Sequence, residues 1–179
     1  MNHTVLIVGL GKIGIGYDLI SDSVNTIKTH ARAFENHSNF SLIGGIDYLK
    51  SARNTFEEIY NAPAFKSLDT ALDSLRPDVV VVASPTNSHL KDIQTIVNSS
   101  SVKAILCEKP LAYNVQDAQK IVNLCKFKNF KLYVNYYRRA DPAVIDLKNS
   151  FSTGKIEIPI KGIVWYSKGI LHNGSHFID

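Results

Sequence analysis

Thr4-Val5-Leu6-Ile7-Val8-Gly9-Leu10-Gly11-Lys12-Ile13-Gly14 is the stretch on which the fold turns. A run of β-branched and apolar residues leads straight into G-x-G-x-x-G, the pattern of a buried strand that turns sharply into a helix. Glycines at those spacings permit a tight turn, close approach of backbone to a pyrophosphate, and close packing of helix on strand. The phosphates of a dinucleotide then sit at the helix N-terminus. A merely glycine-rich turn is the competing reading, and the strand before and helix after weigh against it.

The same rhythm recurs outward from this stretch. Apolar runs at Thr4–Val8, Phe40–Ile46, Val79–Ala83, Ala104–Cys107 and Lys131–Asn135 read as strands. Amphipathic stretches near Lys28–His37, Ser51–Tyr60, Leu68–Leu75, Ser88–Val97 and Val115–Lys128 read as helices, with Ser67 and Asn114 as polar caps. Alternating elements of this kind predict an α/β fold, a doubly wound parallel sheet over residues 1–135. After Asn135 the pattern changes. Asp141–Phe151 reads as a helix, Ser152-Thr153-Gly154 as its break, and Ile160–Tyr166 as a strand of alternating character, so 136–179 is expected to begin a second, α+β domain. That domain is expected to be truncated, because the chain stops at Asp179 a few residues into a new helix after Gly174.

Composition narrows the function classes. A chain of 179 residues with 45% hydrophobic and 20% charged residues is globular, which excludes a disordered protein and a large multidomain machine. The formal charge of +4 is scattered. The one basic-aromatic stretch, Lys126-Phe127-Lys128-Asn129-Phe130-Lys131, reads as cations on the last turn of a helix before a strand, in keeping with the helix dipole, rather than as a nucleic-acid stripe. Cys107 and Cys125 have neither the number nor the spacing of a disulfide framework or zinc site, and no metal is expected. They read as small buried side chains in a reducing compartment. No apolar run is long enough to span a bilayer and no signal peptide is apparent, so the expected location is cytoplasmic, with no membrane partner.

Three further segments fall at the C-terminal ends of predicted strands, where open parallel sheets bind ligands. Asp47 ends the second strand, placed to bind the ribose diol of an adenosine; its alternative is a helix cap. Gly14 and Asp47 are 33 residues apart, against a usual spacing of about 20, so Gly16–Ile27 reads as an inserted loop. A carboxylate at Asp47 repels a 2′-phosphate and favours NAD over NADP, although Lys50 and Arg53 stand close by. Ala83-Ser84-Pro85-Thr86-Asn87-Ser88-His89 follows the third predicted strand, and Cys107-Glu108-Lys109-Pro110 the fourth. Taken singly, the first is as readily a capped proline turn and the second a solvated surface lysine.

In order along the chain, Gly9–Gly14, Ser84–His89, Glu108-Lys109-Pro110, Asn135-Tyr136-Tyr137-Arg138-Arg139, then Gly169 through Gly174-Ser175-His176 and Asp179 resemble the glucose–fructose oxidoreductase/inositol dehydrogenase family over essentially the whole length. The resemblance implies a Rossmann domain that binds NAD or NADP and an enzyme that oxidises or reduces a hydroxyl or keto carbon of a sugar, cyclitol or nucleotide sugar. It implies that Lys109 contacts the substrate hydroxyl and assists proton transfer, with Glu108 and Pro110 positioning it. His176 matches the acid/base histidine, and Asp179 a trailing structural carboxylate. The cofactor shell would comprise Gly9, Gly11, Lys12, Ile13, Gly14, Asp47, Ser84, Pro85, Thr86, Asn87, His89, Glu108 and Asn135. Many polyol-oxidising members carry an aspartate four residues before the histidine. This chain has His172 there, either a sugar ligand or a bystander. Arg138 and Arg139 read as a phosphate or carboxylate clamp, or as an interdomain ion pair. Trp165 and Tyr166 read as core or interface. Relatives have a much larger C-terminal domain that builds the substrate pocket and subunit interface, so a homo-oligomer is expected of the full-length protein. A non-catalytic dinucleotide or sugar sensor on the same fold is the alternative function.

Overall fold

A computed structural model describes residues 2–20 and 26–157. The expected strand Ile160–Tyr166, and with it Trp165, His172, His176 and Asp179, lies outside the described residues. The chain divides into two compact units, Met1–Tyr136 and Tyr137–Asp179.

The first unit is built on six parallel strands: β1 His3–Val8, β2 Phe40–Ile46, β3 Ala64–Phe65, β4 Val79–Val82, β5 Ala104–Cys107 and β6 Lys131–Val134. Their order across the sheet is β3-β2-β1-β4-β5-β6. The two-residue strand β3 was not among the five expected. It has no apolar run of its own and pairs only Ala64 and Phe65 with Gly45 and Ile46. Every strand of this doubly wound sheet is parallel to its neighbours, so each connection crosses over through a helix or turn on a face of the sheet.

Period-two alternation along the strands decides which helix covers which face. Leu6, Val8, Val80, Val82, Ile105 and Cys107 share one face with Ala71 and Leu72 of α4 Leu68–Leu75, Ile93 and Ile96 of α5 His89–Ile96, and Ile121 and Cys125 of α6 Val115–Phe127. Val5, Ile7 and Val81 point the other way, onto Ala31 of α2 His30–Glu35 and Phe56 of α3 Lys50–Tyr60. Val5, Leu6 and Ile7 are all fully buried, as a central strand sandwiched between helix layers must be. Both cysteines are buried, and burial pushes the Cys107 thiol up to about 12.

Of the two helix caps read from the sequence, one forms. Asn114 caps α6 by accepting from the Asp117 N–H at 2.7 Å. Ser67 sits at the N-cap of α4 but its side chain makes no capping hydrogen bond, a correction to its expected role. α6 ends at Phe127 and β6 begins at Lys131, so the basic-aromatic stretch is a helix end and a strand start.

In the second unit, α7 Pro142–Ser152 starts from Asp141, whose carboxylate accepts from the Ala143 N–H at 2.9 Å. It stops at Thr153, followed by Gly154 at φ +71°.

Candidate functional site: the crevice at the carboxyl ends of β1, β2, β4 and β5

Strand order reverses direction between β1 and β4, and the chain leaves the sheet on opposite sides there. The opening between those two exits is a cavity of about 540 Å³, large enough for most of a dinucleotide. Gly9, Gly11, Lys12, Ile13 and Asp47 form one end of its wall. Ser84, Pro85, Thr86, Glu108 and Lys109 form the other, and Tyr17, Tyr48 and Leu49 also line it.

The glycines are held for different reasons. Gly9 has φ +96°, and a Cβ there would lie 2.6 Å from the backbone of Ala83 and Ser84. A Cβ on Gly14 would lie 2.2 Å from the Gly9 carbonyl oxygen, so Gly14 is demanded by helix–strand packing although it is not part of the cavity wall. A Cβ on Gly11 would meet nothing within 4 Å, and its φ of −74° suits any residue. Neither its φ nor its surroundings call for glycine at 11. Beyond it, Gly11 O accepts from both Ile15 N–H and Gly16 N–H at 3.0 Å, so the first turn, Lys12–Gly16, is π-wound before α1 Tyr17–Leu19.

Asp47 is tied to the same loop. Its Oδ2 accepts from the Leu10 N–H and its Oδ1 from the Leu49 N–H, each at 2.9 Å. A carboxylate offers about four acceptor positions, so two remain for a ribose diol. Arg53 Nη1 donates to the carbonyls of Asp47 (2.8 Å) and Tyr48 (3.0 Å) and so braces the β2–α3 turn.

At the β4 exit, Ser84 Oγ donates to Asp92 Oδ2 at 2.6 Å, and burial raises the Asp92 carboxyl above its usual range. His89, expected as a cofactor ligand, is only 1% exposed. Its Nε2 lies 2.9 Å from the Ser84 carbonyl, and its Nδ1 lies 3.2 Å from the Leu111 carbonyl and 3.4 Å from Cys107 Sγ. With the proton on Nε2, the ring donates to Ser84 and Nδ1 accepts from the thiol. Both ring nitrogens are thus occupied within the protein, and His89 is also among the residues that line the cavity. Asn87 is exposed and outside the cavity wall.

At the β5 exit the Lys109-Pro110 peptide is cis and Lys109 is exposed on the cavity wall. Glu108 behind it is 8% exposed and makes three polar contacts. Its Oε1 accepts from Asn135 Nδ2 at 2.6 Å and faces His30 Nε2 at 2.8 Å, and its Oε2 accepts from the Lys109 N–H at 3.2 Å. Burial pushes the Glu108 carboxyl up, but the hydrogen bonds from His30 and Asn135 and the His30 charge outweigh it, and the net shift is downward. Asn135 therefore meets the site through Glu108.

His30 was not singled out in the sequence. It opens α2, where Thr29 accepts the Arg32 N–H, and no spacing motif marks it. Asp18 brings it there: the carboxylate, 9% exposed, accepts from the Lys28 N–H at 3.0 Å and from the Thr29 hydroxyl.

Arg138 and Arg139 are exposed in the second unit, Arg138 with its guanidinium 5.3 Å from the Tyr137 ring centroid. Among the described residues, no helix is long and apolar enough to cross a membrane, and no group of three or more His, Cys, Asp or Glu could hold a metal.

Comparison with known proteins agrees with this geometry. The chain is 24% identical over 150 residues to inositol 2-dehydrogenase of Rhizobium meliloti (strain 1021), an alignment covering 84% of this chain and 41% of the relative. It is 28% identical over 104 residues to D-xylose 1-dehydrogenase [NADP(+)] of Haloarcula marismortui, covering 58% of this chain and 28% of that one. The structure of scyllo-inositol dehydrogenase from Lactobacillus casei with NAD(H) and scyllo-inositol superposes with a TM-score of 0.73 at 20% identity, over 87% of this chain and 42% of that one. The chain therefore spans about two fifths of the length of the first of these relatives. A family model for oxidoreductases with an NAD-binding Rossmann fold matches residues 3–136, and with glycine loop, acidic β2 end and Glu-Lys-Pro turn meeting in one crevice, the chain belongs to that family, known as GFO_IDH_MocA.

Proposed function

We propose that the protein binds NAD in preference to NADP and, with a complete substrate domain, transfers a hydride to or from a hydroxyl or keto carbon of a sugar, cyclitol or nucleotide sugar. The observation that carries this reading is the crevice itself. Asp47 is hydrogen-bonded to the glycine loop at one end, and Lys109 lies on the wall at the other.

The residues present fit a dinucleotide. Gly11 gives a backbone surface free of side chain, the opening helical turn presents its first N–H groups to a pyrophosphate, and Asp47 keeps acceptor capacity for a ribose diol. The nicotinamide half would then extend past Ser84 toward Glu108 and Lys109, and it would supply the hydride acceptor or donor. The Asp47 carboxylate would repel a 2′-phosphate, and Arg53 Nη1 is already taken by carbonyl oxygens, both of which support the NAD preference. Lys109 Nζ would hold the substrate oxygen and exchange its proton as the carbinol and carbonyl interconvert. His176 is proposed as the acid/base partner, with His172, Arg138 and Arg139 as candidate substrate contacts. Residues 136–179 would begin the substrate domain after a cofactor domain over 1–135, and the full-length protein would assemble as a homo-oligomer in the cytoplasm.

Titration of the chain with NADH and NADPH, followed by nicotinamide fluorescence, tests the cofactor assignment. The expected result is saturable NADH binding at least tenfold tighter than NADPH binding; equal affinities would remove the assignment to Asp47. Hydride transfer by the full-length protein over a panel of sugars and cyclitols tests the rest, and binding without any turnover would favour the sensor alternative.

A further inference from the structure

We propose that His30 is a positioning residue for the nicotinamide end of the crevice, acting through Glu108 on the Lys109 turn. The proposal rests on the dinucleotide reading above and adds to it a residue that touches neither cofactor nor substrate.

Three chain segments that are remote in sequence converge on one carboxylate. His30 is the first residue of α2, Glu108 follows β5, and Asn135 follows β6. Glu108 Oε1 lies between His30 Nε2 (2.8 Å) and Asn135 Nδ2 (2.6 Å), and Oε2 takes the Lys109 N–H (3.2 Å). His30 and Glu108 are each 8% exposed. A buried carboxylate that loses a donor either swings toward another or takes up a proton, because an under-solvated charge in a low-dielectric site is costly. Either response alters Oε2, which holds the backbone N–H of Lys109. Asn135, sharing Oε1 with His30, would move with it.

The fold makes His30 a control point for one end only. Asp47, Leu10 and the glycine loop bind one another without it, and Glu108 and Lys109 line the far end of the same cavity. Loss of the His30 contact should therefore be felt by a ligand that reaches Glu108 and Lys109, and not by one confined to the Asp47 end. A general loosening of the fold would weaken both.

The test uses two probes on the full chain, NADH and ADP, with His30→Leu, which removes the donor, and His30→Gln, which keeps a side-chain N–H. The expected result is about a tenfold weaker NADH affinity for His30→Leu, with ADP within twofold of wild type. His30→Gln should recover most of the NADH loss. Glu108→Gln, nearly isosteric, should reproduce the NADH-selective loss and serves if His30→Leu does not fold. Wild-type affinity for NADH in both His30→Leu and Glu108→Gln would overturn the proposal, as would equal weakening of NADH and ADP, which marks a merely structural role. Wild-type protein that binds ADP and NADH equally would overturn it too, since the nicotinamide end would then contribute nothing. Wild-type protein that binds neither probe would overturn the dinucleotide reading, and this proposal with it.

Discussion

Replacing Gly11 and Gly14 separately by alanine should split stability from binding. A Cβ on Gly14 would stand 2.2 Å from the Gly9 carbonyl oxygen and 3.1 Å from its carbon, both backbone atoms with no rotamer to escape into. Overpacking of that kind costs about 1–3 kcal/mol, and the rigidity of both partners puts Gly14→Ala at the upper end. At about 2–4 °C per kcal/mol for a chain of this size, the melting temperature should fall by roughly 5–10 °C. Gly11 has φ −74° and open space around its Cβ direction, so Gly11→Ala should stay within about 0.5 kcal/mol of wild type. Its NADH affinity should nevertheless drop by about tenfold or more, because the methyl occupies the surface on which the pyrophosphate would lie. Thermal unfolding by circular dichroism and NADH titration of the same preparations give both numbers. A Gly11→Ala protein that melts as early as Gly14→Ala, or that binds NADH as wild type does, would refute the division of roles between the glycines.

Other outcomes follow from the same structure. In the complete protein, Lys109→Ala should lower turnover by about 10²–10⁴-fold while leaving NADH affinity within a few-fold, measured by steady-state kinetics and fluorescence titration; unchanged turnover would remove the lysine from the chemistry. Asp78 accepts from Lys103 Nζ, the Thr4 N–H and the Thr4 hydroxyl, and the Lys103 contact leads in holding its carboxyl down at about 2. A carboxyl depressed in the folded state contributes stability above its unfolded value of about 3.9 and loses it as pH falls toward the folded value. The stability advantage of wild type over Asp78→Asn should therefore be full at pH 5 and shrink between about pH 4 and 2 in urea titrations. Phe56, fully buried against the Val5, Ile7 and Val81 face, should cost about 3–5 kcal/mol on truncation to alanine, read as a lower denaturation midpoint at unchanged slope.

The sheet was legible because its strands announce themselves. Val79–Val82 and Ala104–Cys107 are short apolar runs between helical patterns, and burial on both faces requires such runs. β3 was not legible, since two residues added to the edge of β2 carry no periodicity. Gly9, Gly11, Gly14 and Asp47 were visible as a motif, and close packing was a reason the motif itself offers; the fold adds that for Gly14 the crowding atom is the Gly9 carbonyl oxygen. His89 read as a ligand because it follows a strand end; it does line the cavity, while the contacts of its ring with Ser84 and Cys107 are made by the fold and leave no mark in the sequence. His30 was invisible for a further reason. Its partner Glu108 lies 78 residues on, and a pairing made by the fold between two otherwise ordinary residues leaves no local trace.

The Asp18 clamp has a consequence for engineering. By accepting from Lys28 and Thr29, the carboxylate brings together the two ends of the stretch 19–27 at the start of α2. Once the ends of a segment are pinned, doubling its length adds only about 0.6 kcal/mol of closure entropy. Lengthening the chain between Leu19 and Lys28 should thus cost little closure entropy while Asp18 holds Lys28 and Thr29.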